Sequence, residues 1–339
     1  MIWKGFKLKV NKQIILAIVF GQILSIFICG TAVSSGYLSQ IDVAIPVTQS
    51  FLNYLLIAFT YGMFFTYQSA KDLSAIIKSR GYIYLIASLI DVEANYLIVK
   101  AYQYTNVTSV QLLDCLTIPT VFILSIFVFR IRYLCSHFIG VCLCIVGSIG
   151  LVLIDHFTKN SSVQGSYPLF GDLLVVVGAI CYGTSNVLQD YMVKKYDRIE
   201  YLGFLGIFSS VISGIQILII ERSAIASAFS TNSHNMFFWL SMVGFALSMY
   251  LLYSLMPYVM QISSAVVTNL SLLTADIYAL FVGIFLFGNS FHPLYFLTYI
   301  TIMFGVGVYV CKSPVKRDDN EKLCDLFPCQ TKPISIMEL

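Results

Sequence analysis

The sequence predicts an all-α integral membrane protein, with ten transmembrane helices in two inverted five-helix repeats around a central cavity. Three observations support this prediction. Hydrophobic residues make up 58% of the chain and charged residues only 11%, against about 25% charged residues in ordinary globular domains. Apolar stretches of about 20 residues recur along the chain. Lysine and arginine collect in alternate connections between these stretches.

The candidate spans are long enough, at about 1.5 Å per residue, to cross a hydrocarbon core of about 30 Å. They cover approximately residues 14–36, 43–66, 82–102, 105–129, 133–154, 169–188, 201–220, 236–256, 263–286 and 291–311. Residues 1–13 are predicted to form a short N-terminal tail, residues 14–312 the ten-helix domain, and residues 313–339 a polar C-terminal tail with a composition typical of disorder. The connections are short, so any chemistry is expected within the bundle.

The distribution of basic residues predicts the orientation of the chain. Seventeen of the 20 lysines and arginines fall in the two tails and in alternate loops, whereas Lys100, Lys159 and Arg222 fall on the other side. Short loops rich in lysine and arginine stay cytoplasmic, so both termini are predicted to be cytoplasmic. The sequence leaves open whether the membrane is the plasma membrane or an endomembrane. The net charge of +3 reflects this loop bias, and no nucleic-acid partner is expected.

An internal repeat follows from the number of spans. Residues 14–154 and 169–311 each hold five spans, and an odd repeat must enter the membrane from opposite faces in its two copies. Inverted repeats of this kind are used by many secondary transporters for alternating access. At one constant offset of 158, Phe129, Phe138 and Gly147 align with Phe287, Phe296 and Gly305.

Polar side chains inside the spans are the candidate site. An ionisable group at the bilayer centre costs about 2.5–3.5 kcal/mol on insertion scales, so each is expected to face a cavity or a partner. The candidates are Gln22 in span one; Gln49 and Asn53 in span two; Asp91, Glu93, Asn95 and Lys100 in span three; Gln111 and Asp114 in span four; Tyr182 and Asn186 in span six; and Asn269 and Asp276 in span nine.

Helical spacing groups these candidates, because residues three, four or seven apart share a helix face. By this rule Gln111 pairs with Asp114, Asp91 with Asn95, Tyr182 with Asn186, and Asn269 with Asp276. Together the faces are expected to line one central, water-filled cavity. Hydrogen bonding between helices alone is the alternative role for each amide or hydroxyl.

Span three presents a choice between two carboxylates. Asp91 and Glu93 point about 200° apart on one helix, so at least one is expected to make a structural contact. Glu93 lies about 14 Å deep, at the same level as Asp114, and is slightly favoured. Lys100 lies near the outer end of its span, where its side chain can reach the interface.

Two prolines lie in or beside these spans. Pro119 removes a backbone hydrogen bond and is predicted to kink span four just past Asp114. Pro257 lies at the inner end of span eight and is predicted to end that helix.

The balance of charge inside the spans limits the cargo. Asp91, Glu93, Asp114 and Asp276 face one candidate cation, Lys100, whereas a phosphate-rich ligand needs clusters of arginine or lysine. A small neutral or cationic organic molecule is therefore expected. A buried carboxylate could also carry a coupling proton.

Other functional classes have weaker support in the sequence. No HExxH string occurs and the four histidines lie near span ends without ligand spacing, so an enzyme, a metal or a cofactor is not expected. A receptor would need larger outer loops, and a channel would need rings of charge. Besides the small-molecule substrate, the lipid bilayer is an expected partner. The oligomeric state is left open, and a homodimer is one alternative.

Several strings at these positions resemble the F subfamily of solute carrier family 35, in the drug/metabolite transporter superfamily. They are GQILS at 21–25 with CGTA at 29–32, QSFLNY at 49–54, DVEANY at 91–96, TSVQLLDC at 108–115 and NLSLLTAD at 269–276. The resemblance covers roughly residues 14–312. It implies a ten-helix transporter with a central substrate cavity, and nucleobase- or nucleoside-like substrates, including queuine-type deazaguanines. A nucleotide-sugar-type exchanger of the same superfamily is the alternative, although its basic phosphate-binding pattern is not evident here.

Overall fold

The computed structural model is built almost entirely of helices. It describes residues 12–68, 73–105, 110, 113–129, 131–157, 168–232, 234–272, 274–275, 278, 281–282, 294–310 and 315–316. The α-helices in chain order are α1 (Lys12–Gln40), α2 (Pro46–Ile57), α3 (Met63–Gln68), α4 (Leu73–Ala101), α5 (Thr117–Phe129), α6 (Cys135–Phe157), α7 (Pro168–Lys195), α8 (Arg198–Gln216), α9 (Arg222–Asn232), α10 (Met236–Ile262), α11 (Ala265–Leu272) and α12 (Leu294–Val310).

Two short π-helical turns join helices that continue one another. Ala58–Gly62 connects α2 to α3, and Ile217–Glu221 connects α8 to α9. A π-turn inserts one extra residue into the helix and so rotates the side chains that follow it. Outside the helices, β1 (Ile131–Arg132) pairs antiparallel with β2 (Val315–Lys316), which ties the connection after α5 to the chain beyond α12.

The composition of the helices suits a lipid environment. Among the described residues, five helical segments are long and apolar enough to cross a membrane: 19–40, 73–101, 169–195, 198–232 and 236–262. Large apolar side chains point outward from several helices, and Phe59, Phe127 and Leu218 expose 68, 69 and 70% of their surface. In water these side chains would form a large apolar surface, whereas in a bilayer they contact acyl chains.

Side chains cap several helix starts. The Asp197 carboxylate accepts a hydrogen bond from the Ile199 N–H at 3.0 Å and begins α8, and the Asn235 side chain accepts one from the Phe237 N–H at 3.0 Å and begins α10. A more distant residue caps α2. Glu221, in the second π-turn, accepts hydrogen bonds from the N–H groups of Val47 at 2.7 Å and Thr48 at 2.9 Å.

The two prolines behave differently. The helix of span four is interrupted at residues 115–116, and Pro119 lies in the first turn of α5, where its missing N–H costs little. The prediction that Pro257 ends span eight is wrong, because α10 continues five residues further to Ile262. Pro257, Val259 and Met260 are all buried, so packing against the bundle keeps this last turn helical despite the lost hydrogen bond.

The helices pack through a small set of close pairs. The most extensive contacts join α6 to α12, α4 to α7, α1 to α10 and α2 to α8. Glycines allow the closest of these approaches. Gly140 of α6 faces Gly305 of α12, where an added Cβ on either residue would lie 2.8 Å from the carbonyl oxygen of the other. Gly206 of α8 packs on the backbone at Ala58. Small residues at membrane helix interfaces commonly have this role.

Replacing Gly206 with alanine should destabilise the protein. The new Cβ would lie 2.5 Å from the Ala58 nitrogen, which is backbone and cannot move aside cheaply. Overpacking of this kind costs about 1–3 kcal/mol. Gly214→Ala in the same helix is the matched control, since its Cβ would meet only the Phe51 ring at 3.7 Å. Thermal unfolding of the purified variants in detergent measures the effect, and equal melting temperatures would contradict the packing described here.

Candidate functional site

A cavity lies where α1, α4, α7, α10 and α11 meet the interrupted helix of span four. Its volume is about 150 Å³, whereas one water molecule needs only about 10–15 Å³ on the same measure. The cavity therefore has room for a small organic molecule. Its polar lining consists of Thr31, Ser35, Asp91, Asn95, Tyr102, Asp114, Thr117, Tyr182, Asn186, Gln189, Tyr253 and Asn269, and its apolar lining includes Ile28, Ile98, Val99, Phe245, Met249, Leu252 and Met256.

Asp91 is the most extensively hydrogen-bonded acidic side chain of the cavity. Its Oδ2 accepts hydrogen bonds from the hydroxyls of Tyr54 at 2.7 Å and Tyr253 at 2.6 Å, and its Oδ1 accepts one from the Ser185 hydroxyl at 3.0 Å. The donors come from α2, α10 and α7, so one carboxylate of α4 contacts three other helices. Asp91 is 4% exposed, and no basic side chain pairs with it among the described residues. Hydroxyl donors therefore stabilise its charge.

Asn95 lies one helical turn beyond Asp91 and joins the same network. Its Nδ2 donates to the hydroxyl oxygens of Tyr54 at 2.6 Å and Tyr253 at 2.8 Å, while its Oδ1 accepts a hydrogen bond from the Tyr182 hydroxyl at 2.6 Å. The bond from Tyr182 orients the amide so that its nitrogen faces the two tyrosines and, at 3.0 Å, the carbonyl oxygen of Asp91. We call the set Tyr54, Asp91, Asn95, Tyr182, Ser185 and Tyr253 the Asp91 network.

Within the described part of the chain, Asp114 has far fewer partners than Asp91. It lies at the interruption of span four, is half-buried, and accepts a hydrogen bond at 3.2 Å from the Thr117 hydroxyl three residues along the chain. A carboxylate has about four acceptor positions. Among the described residues that line the cavity, no lysine or arginine faces Asp114. It therefore offers a negative charge with unused acceptor capacity to whatever occupies the cavity.

Three amides complete the polar wall. The Asn186 Nδ2 donates to the Asn269 Oδ1 at 3.0 Å, which links α7 to α11, and the Asn269 Nδ2 donates to the Ala265 carbonyl within α11. Gln189 lies three residues beyond Asn186 and is 4% exposed, and its Nε2 has no hydrogen-bond partner among the described residues. An unpaired buried donor is costly unless a ligand or water satisfies it.

Six of the predicted site residues thus line the cavity together: Asp91, Asn95, Asp114, Tyr182, Asn186 and Asn269. Gln111 and Asp276 lie outside the described residues. Five others are not among the residues that line this cavity. Glu93, which the sequence slightly favoured over Asp91, accepts a hydrogen bond at 2.5 Å from the Gln216 Nε2 of α8. Lys100 donates to the Tyr96 hydroxyl at 2.6 Å and lies over the same ring.

The other three residues that are not in the cavity lining are glutamines and an asparagine. Gln22 accepts a hydrogen bond from the Tyr278 hydroxyl at 2.9 Å, and Gln49 accepts one from the cavity-lining Ser35 at 3.0 Å. Asn53 is fully buried, and neither polar atom of its side chain has a hydrogen-bond partner among the described residues.

The sequence did not indicate some residues of the cavity and of the Asp91 network. Gln189 follows Tyr182 and Asn186 at seven and three residues, so extending the polar stripe by one turn would have found it. Tyr54, Ser185 and Tyr253 carry no comparable signal, because one hydroxyl in an apolar helix does not show which way it points.

The comparisons with known proteins agree with this architecture. A family model described as solute carrier family 35, F subfamily, matches residues 10–311. Solute carrier family 35 member F2 of Mus musculus is 45% identical over 309 residues, which is 90% of this chain and 80% of that protein. The member F2 of Xenopus tropicalis is 41% identical over 306 residues, which is 88% of this chain and 77% of that protein.

The chain belongs to solute carrier family 35, F subfamily. An uncharacterised solute carrier family 35 member of Schizosaccharomyces pombe is also similar, with 36% identity over 88% of this chain and 58% of that protein. Members of solute carrier family 35 are transporters rather than enzymes, so this chain is a solute carrier and an integral, multi-pass membrane protein.

A solved structure shares the fold of this solute carrier. It aligns with a TM-score of 0.61 at 14% identity, and the alignment covers 86% of this chain and 94% of the other, whose title describes it only as the crystal structure of a protein. No group of three histidine, cysteine, aspartate or glutamate side chains that could hold a metal occurs within the described part of the chain.

Removing the Ser185 hydroxyl should destabilise this solute carrier. Ser185→Ala removes one donor to a buried carboxylate, and hydrogen bonds to charged groups contribute about 1.5–3 kcal/mol. The neighbouring Thr184→Ala is the control, because that exposed hydroxyl bonds only to the Ile180 carbonyl of its own helix and its loss should change stability by less than about 0.5 kcal/mol. If the two variants melt at the same temperature in detergent, Ser185 does not stabilise the Asp91 charge.

Proposed function

We propose that this protein is a secondary-active or facilitative transporter that moves a small neutral or cationic organic metabolite by alternating access. The cavity carries the proposal, because two carboxylates and four amides line it while no lysine or arginine lines it among the described residues. An anionic cargo would meet the negative charge of these two carboxylates. A positive or hydrogen-bond-donating cargo would find in Asp114 an acceptor with free capacity.

We also propose that the chain crosses the membrane ten times, in two inverted five-helix halves. The pattern of helix contacts supports this arrangement. If α1, α2, α4, α5 and α6 correspond to α7, α8, α10, α11 and α12, then the contact of α1 with α10 corresponds to that of α7 with α4. In the same way α1 with α11 corresponds to α7 with α5, and α2 with α10 corresponds to α8 with α4. The remaining contacts, α2–α8, α5–α11 and α6–α12, each join a helix of one half to the equivalent helix of the other.

The two π-helical turns support the same correspondence. One follows α2 and the other follows α8, which are the second helices of the proposed halves. In an alternating-access carrier, two such halves move relative to one another around a fixed site.

Both termini are proposed to be cytoplasmic. Several basic residues assigned to that side from the sequence lie at one end of the bundle, since Arg80 of α4 pairs with Glu200 of α8 at 2.7 Å and the Lys194 Nζ donates to the Ser263 carbonyl. Lys100 lies at the opposite end of α4, near the start of α2 that Glu221 caps. Short loops rich in basic residues favour the cytoplasm.

The formation of a homodimer stays a prediction.

The proposed substrate class is nucleobase- or nucleoside-like, of the queuine type. Aromatic side chains in the wall, Phe245, Tyr182 and Tyr253, could contact a planar ring, and Asn186 and Gln189 could hydrogen bond its edge. A nucleotide-sugar exchanger is the weaker alternative, because its diphosphate would need basic groups that the described cavity wall lacks. Untargeted metabolite profiling of cells with and without the protein would identify the cargo independently of this argument.

Neutralising the cavity carboxylate should impair transport. In proteoliposomes, saturable uptake of radiolabelled queuine with counterflow of preloaded queuine is expected for the wild type. Asp114→Asn should lower uptake about 10–100-fold, since a hydrogen bond to a charged group contributes about 1.5–3 kcal/mol. Asp276→Asn is expected to lower uptake as well.

Asp172→Asn is the matched control for this measurement. Asp172 lies near the start of α7, is not among the cavity-lining residues, and accepts a hydrogen bond from the Thr105 hydroxyl at 3.0 Å. Its replacement should leave uptake close to the wild-type level. Normal uptake by both Asp114→Asn and Asp276→Asn would remove these residues from the substrate site, and conductance that does not saturate would indicate a channel.

A further inference from the structure

The Asp91 network connects the two proposed halves of the transporter. Tyr54 and Asp91 belong to α2 and α4 of the first half, whereas Ser185 and Tyr253 belong to α7 and α10 of the second. Two of the three hydroxyl donors therefore cross between the halves to reach one carboxylate. Alternating access requires the halves to move past each other, so at least some of these bonds must break in each cycle.

The hydrogens in this network have one consistent direction. The Asn95 amide nitrogen has two hydrogens, and its shortest contacts are with the hydroxyl oxygens of Tyr54 and Tyr253. When both hydrogens go to these tyrosines rather than to the Asp91 carbonyl oxygen, which lies 3.0 Å away, the hydroxyls point their own hydrogens at Asp91 Oδ2, at 2.7 and 2.6 Å. This arrangement suits an ionised carboxylate, which only accepts hydrogen bonds.

A proton on Asp91 would disrupt this arrangement. A protonated carboxyl is itself a donor, and each tyrosine oxygen already accepts a hydrogen from Asn95. At least one hydroxyl would have to turn away, and the described residues show no second acceptor for the hydroxyl hydrogen of Tyr54 or Tyr253. Protonation would therefore weaken the connection between the halves. Conversely, if the halves separate, Asp91 loses the hydroxyl donors that stabilise its charge, which favours the neutral acid.

We propose that Asp91 is the binding site of a coupling proton, and that it is distinct from Asp114, which faces the transported solute. This inference rests on the proposed transport function and adds its driving ion. The proton enters from solution through the cavity, which Asp91 lines, and binds the carboxylate as the halves separate. It leaves to solution on the other side when the Asp91 network forms again, so one proton is taken up and one released per cycle.

The surroundings of Asp91 leave few other groups to carry this proton. The titratable side chains that face it from the helices packed around α4, or that lie within electrostatic range of it, are Tyr54 of α2, Tyr182 of α7, Tyr201 of α8, Tyr253 of α10 and, across the cavity wall, Asp114. All four tyrosines are ordinarily neutral near pH 7. Among the described residues, Asp114 is therefore the one competing site, and no hydrogen bond joins it there to the Asp91 network.

The cavity-lining Cys115 provides a test that needs no substrate. A variant that keeps Cys115 and replaces the other cysteines is reacted with a maleimide between pH 5 and pH 9, and each rate is divided by that of the denatured protein at the same pH. Because protonation of Asp91 should loosen the halves, the normalised rate should be higher at low pH and lower at high pH. Asp91→Asn mimics the neutral acid, so its rate should stay at the low-pH level throughout.

Tyr253→Phe provides a second test that keeps every charge and does not depend on the folding of Asp91→Asn. Removing one donor to the ionised carboxylate should move the midpoint of the labelling transition upward by about one to two pH units. Tyr250→Phe, one turn earlier in α10, is the control and should leave the midpoint unchanged, because no hydrogen bond joins Tyr250 to the Asp91 network.

Three results would overturn the proposal. They are pH-dependent labelling that persists in Asp91→Asn, a midpoint that does not move in Tyr253→Phe, and loss of the pH dependence in Asp114→Asn but not in Asp91→Asn. Failure of the transport function would instead appear as absent solute flux in wild-type proteoliposomes. That measurement is separate from the labelling, so the two failures can be distinguished.

Discussion

A carboxylate inside a membrane protein, without a basic partner, must be surrounded by hydrogen-bond donors. Asp91 meets this constraint with three hydroxyls from three other helices, and Asn95 and Tyr182 hold two of those hydroxyls in place. The need to stabilise this charge determines where α2, α4, α7 and α10 meet. The cavity lies at this meeting point because the polar side chains cannot face lipid.

The two acidic side chains of the cavity differ in how fully their acceptor capacity is used. Asp91 is nearly saturated by donors from the protein, whereas Asp114 has one partner among the described residues, Thr117, and faces the cavity. A carboxylate whose acceptor positions are filled by protein donors is suited to holding helices together and to responding to its own protonation. A carboxylate with unused acceptor positions is suited to binding a solute. Glycine contacts such as Gly206 on Ala58 and Gly140 on Gly305 form the scaffold around this site.

The sequence predicted the helical class and several shared faces, because apolar length and residue spacing are local properties. The pairs Asp91 with Asn95 and Tyr182 with Asn186 follow from a spacing of four residues, and the structure places all four at one cavity. Spacing does not show which face of a helix points inward. Asp91 and Glu93 differ by about 200°, and only the packing of α8, which supplies Gln216 to Glu93, decides between them. The prediction that Pro257 ends its helix was wrong for a related reason, since buried contacts keep α10 helical beyond this proline.

In the proposed transporter, hydroxyls of both halves stabilise Asp91 while Asp114 faces a space for the solute. The most direct measurement is a cryo-electron microscopy map of the protein in a lipid nanodisc, with substrate added at a pH above the labelling transition. The account predicts density for the Tyr54 and Tyr253 hydroxyls within hydrogen-bond distance of Asp91, and density for the solute beside Asp114. A map in which Asp91 and Asp114 lie far apart, each packed against neighbouring helices with no space between them, would contradict the account.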